Sequence, residues 1–369
     1  MREFRFNYRV PLGKEPVFGH NRWHPDIPPI AHVAPGERVV LDIRDGLDCQ
    51  ITPGMGPEAL AGIDARFGHP LTGPFYVDGA KAGDCLEVVI EEIQPDSFGW
   101  TCIIPGLGLL ADRFREPALV LWDLVDGRAT SPSLPGVSIP AAPFLGVIGV
   151  APSPERLRSI VSREGLLAAQ GAMVFVPDRD GAVPAVDEVA TSGLRTIPPR
   201  EIGGNMDVKQ MGAGARVRFM CDVDGALVSL GDPHFAQGDG ESCGVAIEMS
   251  ARAVVRFELV PAEELVWAPN YPAYEFVEPE RGERRYIATT GIPVTDSGDN
   301  RDRDIYLAAQ VAFSQLVDYL AVVYELTPEA AYIVASVAAD LRISSIVNVP
   351  NPVVSAMIPI DVFREKQER

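Results

Sequence analysis

Glycine and proline interrupt this chain so often that long helices cannot fill it. The 369 residues include 34 glycines and 33 prolines. Both residue types break regular helices, glycine through its backbone freedom and proline through its missing N–H group. This frequency excludes a helical bundle. The length allows one large domain or two smaller ones.

Alternating apolar residues fill much of the chain between these breaks. Period-two alternation after a turn residue is typical of a half-buried antiparallel strand. The pattern occurs in residues 36–43, 83–90, 214–221, 226–230, 244–249 and 254–260. Many short strands joined by Gly/Pro turns indicate a sandwich or barrel. The predicted fold is therefore mainly β, an antiparallel β-sandwich or barrel core with a smaller α/β C-terminal part.

Composition divides the chain into three predicted parts. Residues 1–150 are a β-rich N-terminal half, residues 151–200 are a polar, Pro/Gly-rich excursion that opens with a short helix at Pro154, and residues 201–369 are a β-rich half that ends in two helices. The first of these helices has a stripe at helical spacing, formed by Ile305, Ala309, Phe313, Leu316 and Leu320. The second begins with Thr327 as its N-cap and Pro328 at its first position, and its stripe is Ala330, Val334, Val337 and Leu341.

Charge and cysteine content limit the partners and the compartment. The net charge of −19 disfavours binding to nucleic acid and to anionic membrane surfaces. The longest apolar run, residues 141–152, is too short to span a membrane. The cysteines are scattered, odd in number and without a CxxC pair, so they indicate neither a disulfide framework nor a thiolate zinc site. Residues 1–10 do not read as a signal peptide, so we expect a cytoplasmic protein.

Two glycine-rich segments concentrate the polar residues that carry chemistry. Residues 201–207 read EIGGNMD and residues 231–241 read GDPHFAQGDGE. Their polar side chains include Asn205, Asp207, Asp232, His234, Asp239 and Glu241. Mixed Asp, His and Glu ligands suit a hydrolytic zinc site, in which the metal activates a water molecule. Tight hairpin turns need the same residue types, so both interpretations stay open at this point.

Three other motifs fit their surroundings poorly. Residues 240–244 match G-x-S-x-G, but a strand pattern follows where a nucleophile elbow needs a helix, which disfavours Ser242 and Cys243 as nucleophiles. Residues 106–111 match the dinucleotide-binding glycine pattern, but the flanking prolines leave little room for a βαβ unit. Pro25 excludes a helical zinc pair of His20 and His24, so His20 is either structural or lies in an extended segment entering a pocket.

Several stretches of the chain resemble the acetamidase/formamidase family. They are residues 20–29 (HNRWHPDIPP), 45–51 (DGLDCQI), 203–209 (GGNMDVK), 231–249 (GDPHFAQGDGESCGVAIEM) and 341–359 (LRISSIVNVPNPVVSAMIP). The third and fourth stretches together are specific, and the others are supportive. The resemblance implies hydrolysis of small amides to ammonia and a carboxylate by a homo-oligomer, with a divalent metal such as zinc.

The resemblance also implies which residues form the site. The acidic and amide positions of the family fall on Asp45, Gln50, Asn205, Asp207, Asp232, His234 and Glu241. We expect Asp207, Asp232 and His234 to hold the metal or orient the water, and Glu241 to relay the proton to the leaving nitrogen. Asn205 is expected to stabilise the oxyanion together with backbone N–H groups. The predicted substrate-binding residues are His20, Asp45, Gln50, Gly203 and Gly204.

Two apolar positions depart from the family pattern. Ile202 stands where these enzymes have a histidine before the GGN motif, and Phe144-Leu145 stands near the position of a second histidine. An apolar Ile202 in the pocket predicts a preference for a longer or cyclic amide over formamide. Two alternatives stay open: an amide hydrolase with Ser242 or Cys243 as nucleophile, and a β-sandwich protein that binds amides without turning them over.

Overall fold

The fold is described by a computed structural model of residues 1–112, 114–278, 284–326 and 339–360, together with residues 328, 331, 332, 335 and 363. The strands up to residue 150 are β1 (Arg2–Phe4), β2 (Gly19–His20), β3 (Arg22–Trp23), β4 (Ala31–Val33), β5 (Arg38–Ile43), β6 (Leu71–Val77), β7 (Cys85–Ile103), β8 (Ala118–Val125), β9 (Arg128–Thr130), β10 (Ser138–Pro140) and β11 (Phe144–Gly149). The later elements are α1 (Pro154–Ala169), α2 (Asp187–Ser192), β12 (Leu194–Arg195), β13 (Gly203–Asn205), β14 (Arg216–Met220), β15 (Val228–Ala236), β16 (Ile247–Val260), β17 (Ala273–Glu278), β18 (Arg284–Gly291), α3 (Ile305–Val323), β19 (Asp340–Ser345) and β20 (Val353–Pro359).

Two long antiparallel strands form the centre of the sheet. β7 has 19 residues and β16 has 14, and they pair from Trp100 opposite Glu248 to Cys85 opposite Val260. Two register shifts interrupt this pairing, and such irregularities bend a strand and increase its twist. β5 and β15 also pair with β16, and β14 and β8 pair with β7. The predicted mainly β, antiparallel fold is confirmed.

Alternating side chains of these strands build the principal core. On β7, Leu86, Val88 and Ile90 are fully buried, and they pack with Val217 of β14 and Val255 of β16. Burial of each such side chain contributes about 2 kcal/mol. The strands predicted at residues 36–43, 83–90 and 214–221 are present as β5, the start of β7 and β14.

Helix α3 covers the C-terminal strands. Its N-cap is Asp304, whose side chain accepts a hydrogen bond from the Leu307 N–H at 2.9 Å. Leu316 and Leu320 are buried as predicted, whereas the rest of the buried face shifts to Ala308 and Ala312. By length and composition α3 could cross a membrane, with 19 residues and a hydropathy of 1.4. In this fold it packs against β18 and β20, which confirms the smaller α/β part.

The second predicted C-terminal helix is only partly described. Pro328, Ala331, Tyr332 and Ala335 are helical, and the two alanines are buried against α3. Thr327, Ala330, Val334 and Val337 lie outside the described residues. The prediction that Leu341 continues the helical stripe is wrong, because it lies in β19 opposite Ala356 and is 51% exposed.

The segment 151–200 packs onto the principal core. Ser153 caps α1 by accepting a hydrogen bond from the Arg156 N–H at 3.2 Å. Leu157 and Ile160 of α1 and Leu194 of β12 belong to the principal core. The helix predicted at Pro154 is present and continues to Ala169. The three-part division of the chain stays a prediction.

Candidate active site

A small cavity lies where β15, β16 and the end of β13 meet the loops that follow β5, β7, β15 and β19. Its volume is about 130 Å³. Its polar floor consists of His69, Asn205, Asp232, Glu241, Glu248 and Asn348, and its apolar wall consists of Leu47, Trp100, Ile104, Leu107, Phe175, Ile197, Val245, Val347 and Val349. A concave apolar pocket with a few convergent polar groups is typical of a small-molecule site.

Strand β15 places two of the predicted residues side by side. Asp232 and His234 are two residues apart, so their side chains project from the same face of the strand. Glu248 lies directly opposite His234 on β16. The His234 Nε2 atom is 3.2 Å from Asp232 Oδ2 and 3.2 Å from Glu248 Oε1. Two buried carboxylates therefore converge on one imidazole nitrogen.

A second pair of carboxylates approaches the same histidine. Among the described residues, one ligand atom from each of Asp207, His234 and Glu241 lies within 4.8 Å of the others. Asp232, His234 and Glu248 meet the same condition. The predicted set of Asp207, Asp232 and His234 is thus distributed over two groups that share His234, and Glu241 joins the first of them.

The backbone at three of these carboxylates is strained. Asp207, Asp232 and Glu241 have φ angles of 49°, 54° and 49°, in the left-handed region that non-glycine residues rarely adopt. Each such residue costs on the order of 1 kcal/mol or more, and the surrounding structure must hold it in place. Such strain concentrates at functional sites, so it favours the catalytic interpretation over simple turn chemistry.

Gly146 of β11 gives two of these carboxylates their space. A Cβ atom at this position would lie 2.6 Å from Asp207 Oδ1 and 2.7 Å from Asp232 Oδ2. Real Cβ atoms do not approach oxygen this closely, so a side chain here would displace both carboxylates. The glycine is therefore required by the close approach of the two acids.

Gln237 fixes the tautomer of His234. Its Nε2 donates to the Asp207 carbonyl oxygen at 2.9 Å, so its Oε1 is the atom that faces His234 Nδ1, at 3.0 Å. Nδ1 must then carry a hydrogen in order to donate to this oxygen. In a neutral imidazole the lone pair lies on Nε2, the nitrogen that faces Asp232 and Glu248.

Several buried polar atoms at the cavity lack a hydrogen-bond partner. In residues that line it they are His69 Nδ1, Trp100 Nε1, Asn205 Oδ1 and Glu248 Oε2, and in the adjoining carboxylate groups they are Asp207 Oδ1 and His234 Nε2. An unsatisfied buried polar atom costs about 1–3 kcal/mol. Their convergence in one place indicates a site built to bind something that supplies the missing interactions.

Burial and like charge shift the proton affinities of the acids. Burial raises the pKa of Glu248 to about 8 and that of Asp207 to about 7. Burial, followed by the Asp207 carboxylate, raises the pKa of Glu241 well above its ordinary value. Burial opposes ionisation of Asp232 as well, but the imidazoles of His69 and His234 lower its pKa. The cluster therefore holds protons that exposed acids would have released at neutral pH.

Asn348 connects this cluster to the C-terminal part of the chain. Its Nδ2 donates to Asp207 Oδ2 at 2.8 Å and to the Asn205 carbonyl oxygen at 2.9 Å. Asn348 is buried and lies 141 residues from Asp207 in the sequence. It orients the carboxylate that approaches Glu241.

Three of the predicted substrate-binding side chains have structural partners and do not line the cavity. Both ring nitrogens of His20 are in contact, Nδ1 with the Arg22 carbonyl oxygen at 2.6 Å and Nε2 with Ser229 Oγ at 2.7 Å. Asp45 accepts hydrogen bonds from two backbone N–H groups of the turn after β5. Gln50 donates to the Leu47 carbonyl oxygen and accepts from the Asp64 N–H, both at 2.8 Å.

The two glycines of the GGN motif also differ from expectation. The Gly203 N–H donates to the Arg200 carbonyl oxygen at 3.0 Å, and Gly204 pairs with Ile148 in the β11–β13 ladder. Neither residue lines the cavity. The structure therefore brings only Asn205 of this motif to the cavity, and the predicted oxyanion role of the Gly203 N–H is not available.

The expectation that Ile202 lines the catalytic pocket is wrong. Ile202 is 3% exposed and packs in the principal core. At the second position that departs from the family pattern, Phe144-Leu145, the Phe144 ring contacts His234 edge to face, with the ring centroids 4.9 Å apart. The apolar wall of the cavity comes instead from other residues, such as Trp100 and Leu107.

Sequence reasoning missed His69, Glu248 and Asn348. Glu248 had a visible signal, because it is a charged residue inside an apolar strand pattern and follows His234 in the same specific stretch. His69 Nδ1 lies 3.7 Å from Asp232 Oδ2, but a lone histidine before a proline carries no pattern. Asn348 stands in a loop whose sequence gives no indication of its partners.

Comparison with known proteins agrees with this geometry. The acetamidase/formamidase family matches residues 6–365. The formamidase of Methylophilus methylotrophus is 31% identical over 363 residues, covering 93% of this chain and 89% of the relative. The acetamidase of Mycolicibacterium smegmatis is 32% identical over 362 residues, covering 90% and 88%.

Solved structures share the fold. A gamma lactamase from Delftia acidovorans is similar with a TM-score of 0.72 at 28% identity, covering 100% of this chain and 95% of that one. An acetamidase from Bacillus halodurans gives a TM-score of 0.73 at 26% identity, covering 93% and 95%. The matches extend over nearly the whole chain and include the segments that form the cavity. This chain therefore belongs to the acetamidase/formamidase family.

Proposed function

We propose that the chain is an amidase that hydrolyses small linear or cyclic carboxamides, breaking a non-peptide C–N bond at the cavity. The products are a carboxylate and ammonia or, from a lactam, an amino group. The observation that carries this proposal is that buried, unpartnered polar atoms of Asn205 and Glu248 line one small cavity, while those of Asp207 and His234 lie directly beside its carboxylates. Relatives named formamidase, acetamidase and gamma lactamase support it.

The donor set fits a divalent cation, with zinc as the first choice. Asp232, His234 and Glu248 offer two carboxylates and one imidazole within 4.8 Å of one another. Because Gln237 holds Nδ1–H, Nε2 is the nitrogen that would present its lone pair to a bound cation. Nitrogen and carboxylate ligands with an open position are typical of hydrolytic zinc. When bound, the cation would polarise the substrate carbonyl and lower the pKa of a water molecule.

The remaining acids then form a proton-exchanging pair. Asp207 has an unpartnered oxygen and lies within 4.8 Å of Glu241, whose pKa is raised by burial and by the Asp207 carboxylate. As the oxygen of the attacking water bonds to the carbonyl carbon, the proton of that water passes to Asp207, which adjoins the cavity beside Glu241. Glu241 donates its proton to the leaving nitrogen as the C–N bond breaks. The side-chain amide of Asn205 lines the cavity and stabilises the negative charge that develops on the carbonyl oxygen.

The geometry disfavours Ser242 and Cys243 as nucleophiles. Neither residue lines the cavity, although Glu241 and Gly244 on either side of them do. The Cys243 thiol donates to the Val245 carbonyl oxygen at 3.1 Å, which directs it along its own loop. We therefore expect Ser242→Ala and Cys243→Ala each to keep measurable turnover. A trapped acyl-enzyme in mass spectrometry, lost in one of these variants, would contradict this assignment.

An amide-hydrolysis panel combined with metal analysis tests the proposal. The purified protein is assayed with formamide, acetamide, butyramide and 2-pyrrolidinone, and its metal content is measured by mass spectrometry. We expect turnover of at least one amide, loss of turnover after chelation, and recovery on addition of zinc. Saturable amide binding without any product would favour the binding-protein alternative. Full activity in metal-free protein would remove the cation from the mechanism.

A homo-oligomeric state and a cytoplasmic location are also proposed. The first rests on the family resemblance and the second on the scattered, unpaired cysteines. The described structure contains a single chain, in which the five cysteines are free. Light scattering of the purified protein and fractionation of the source cells test these two proposals.

A further inference from the structure

The segment whose glycine spacing matches the dinucleotide-binding pattern borders the cavity. Residues 106–111, here named the cover turn, lie between the end of β7 and the start of β8. The Leu109 N–H donates to the Ser242 carbonyl oxygen at 2.8 Å. This bond attaches the cover turn to the loop that carries Glu241. The two glycines of the turn, Gly106 and Gly108, have φ angles of 87° and 96°, which explains the glycine pattern without any nucleotide.

One side chain of the cover turn reaches into the cavity. Leu107 lines it together with Ile104 and Val245. A Cβ atom at Gly244 would lie 2.8 Å from Leu107 Cγ, so the absence of a side chain at Gly244 lets Leu107 settle directly on the loop after Glu241. Leu110 on the same turn does not line the cavity and is 52% exposed.

The volume of the cavity limits what can fit beneath this leucine. A closed apolar cavity of about 150 Å³ holds a six-carbon ring. The present cavity of about 130 Å³ therefore takes an amide of roughly six non-hydrogen atoms, with its polar end on the carboxylate floor and its hydrocarbon end against the apolar wall.

We infer that Leu107 of the cover turn determines the acyl-chain specificity of the proposed amidase, by setting the upper limit on the length of the substrate at about four carbons. This inference rests on the proposed function. It replaces the earlier expectation about Ile202, because the apolar contact with the substrate comes from a different part of the chain.

Phe175 from the segment 151–200 also lines the apolar wall of the cavity. The Arg195 guanidinium lies 5.7 Å from the centroid of its ring.

Replacement of Leu107 by alanine tests the inference. Straight-chain primary amides from acetamide to hexanamide are assayed for kcat/KM in wild type and Leu107→Ala. In wild type we expect kcat/KM to rise up to butyramide, by up to about fourfold per methylene buried, and to fall beyond it. In Leu107→Ala the ratio of hexanamide to propionamide should rise at least tenfold, because the side chain removed leaves room for about two more methylenes.

Leu110→Ala is the matched control, since it makes the same substitution on the same turn outside the cavity. Its hexanamide to propionamide ratio should equal that of wild type. An unchanged ratio in Leu107→Ala, or an equal change in both variants, would overturn the inference while leaving the amidase function intact.

Binding keeps the inference testable if no amide is hydrolysed. Titration calorimetry of the same amides against wild type and both variants gives a chain-length dependence of Kd. Absence of turnover would reject the proposed function. A length limit in Kd that moves only in Leu107→Ala would still support the role of Leu107, and an unmoved limit would reject it.

Discussion

Two buried charge clusters in this molecule differ in how completely they are satisfied. Arg200 and Glu164, both fully buried, form a bidentate pair at 2.7 and 2.8 Å, and Arg200 also donates to the Arg195 carbonyl oxygen at 2.7 Å. In the catalytic cluster, by contrast, Asp207, His234 and Glu248 each keep an unpartnered atom. Both clusters lie next to the GGN motif, one before it and one after it.

This difference distinguishes a cluster that stabilises the fold from one whose unpartnered atoms are available to a ligand. The Arg200–Glu164 pair attaches α1 to the turn before β13, and its complete hydrogen bonding leaves nothing for a ligand. The catalytic cluster gathers carboxylates that repel one another, with three strained backbones among them. Such an arrangement costs stability, and strained groups of this kind concentrate at functional sites. Substitutions in the two clusters should therefore have opposite consequences.

The largest effect is expected from Glu241→Gln. Glutamine keeps the shape of the side chain but cannot give a proton to the leaving nitrogen, so kcat should fall about a thousandfold. The variant should fold and match wild type in metal content, as measured by thermal unfolding and metal analysis. Ser242→Ala, the adjacent substitution, is the control and should stay within a few-fold of wild type. Loss of metal in Glu241→Gln would make Glu241 a ligand instead.

The next largest effect is expected from Glu164→Gln, in the fully hydrogen-bonded Arg200–Glu164 pair. It leaves the buried Arg200 guanidinium without its counter-charge, and removal of one partner from such a pair costs about 3 kcal/mol or more. Urea unfolding measures this loss. The folded fraction should keep its KM, because Glu164 does not line the cavity. A free energy of unfolding equal to that of wild type would show that the ion pair contributes little.

A smaller effect is expected from Asn348→Ala. The substitution removes the hydrogen bond that orients Asp207, and such supporting contacts are typically worth a 10–100-fold change in activity. We expect a larger change in kcat than in KM, because the hydrogen bond that is lost orients Asp207. Asn348→Asp is the companion variant, and it should be worse because it adds another carboxylate beside Asp207. Equal activity of Asn348→Ala and wild type would contradict the positioning role.

The smallest effect concerns pH and Glu248. Its pKa is about 8 in the folded, metal-free protein and 4.5 in the unfolded chain. The folded state then binds more protons than the unfolded state between these values, so this residue contributes stability that is present below about pH 4.5 and is lost as the pH rises toward 8. In Glu248→Gln the free energy of unfolding should fall less between pH 4.5 and pH 8 than in wild type, by about 1 kcal/mol or more. Urea unfolding of chelated protein at several pH values measures it, and parallel curves for both proteins would refute it.

The sequence predicted the strands and part of the site for a local reason. Period-two alternation and turn glycines act over a few residues, so β5, β7 and β14 could be predicted directly. Asp232 and His234 are likewise two residues apart on one strand. The helical stripe of α3 was predicted correctly at Leu316 and Leu320. Leu341, predicted at the end of the stripe of the second C-terminal helix, lies in a strand instead, because pairing with β20 overrides a local helical pattern.

By itself the sequence determined the mainly β architecture, the family and most of the carboxylates of the cluster, since each of these is written in short motifs. Only the tertiary structure decided which polar residues face one cavity. In the fold His20, Asp45, Gln50 and Ile202 do not line this cavity, whereas Glu248 joins it by register, Asn348 from 141 residues away and Leu107 from a turn. Which residues line the cavity depends on strand pairing and on contacts between distant segments, and no spacing along the chain encodes these.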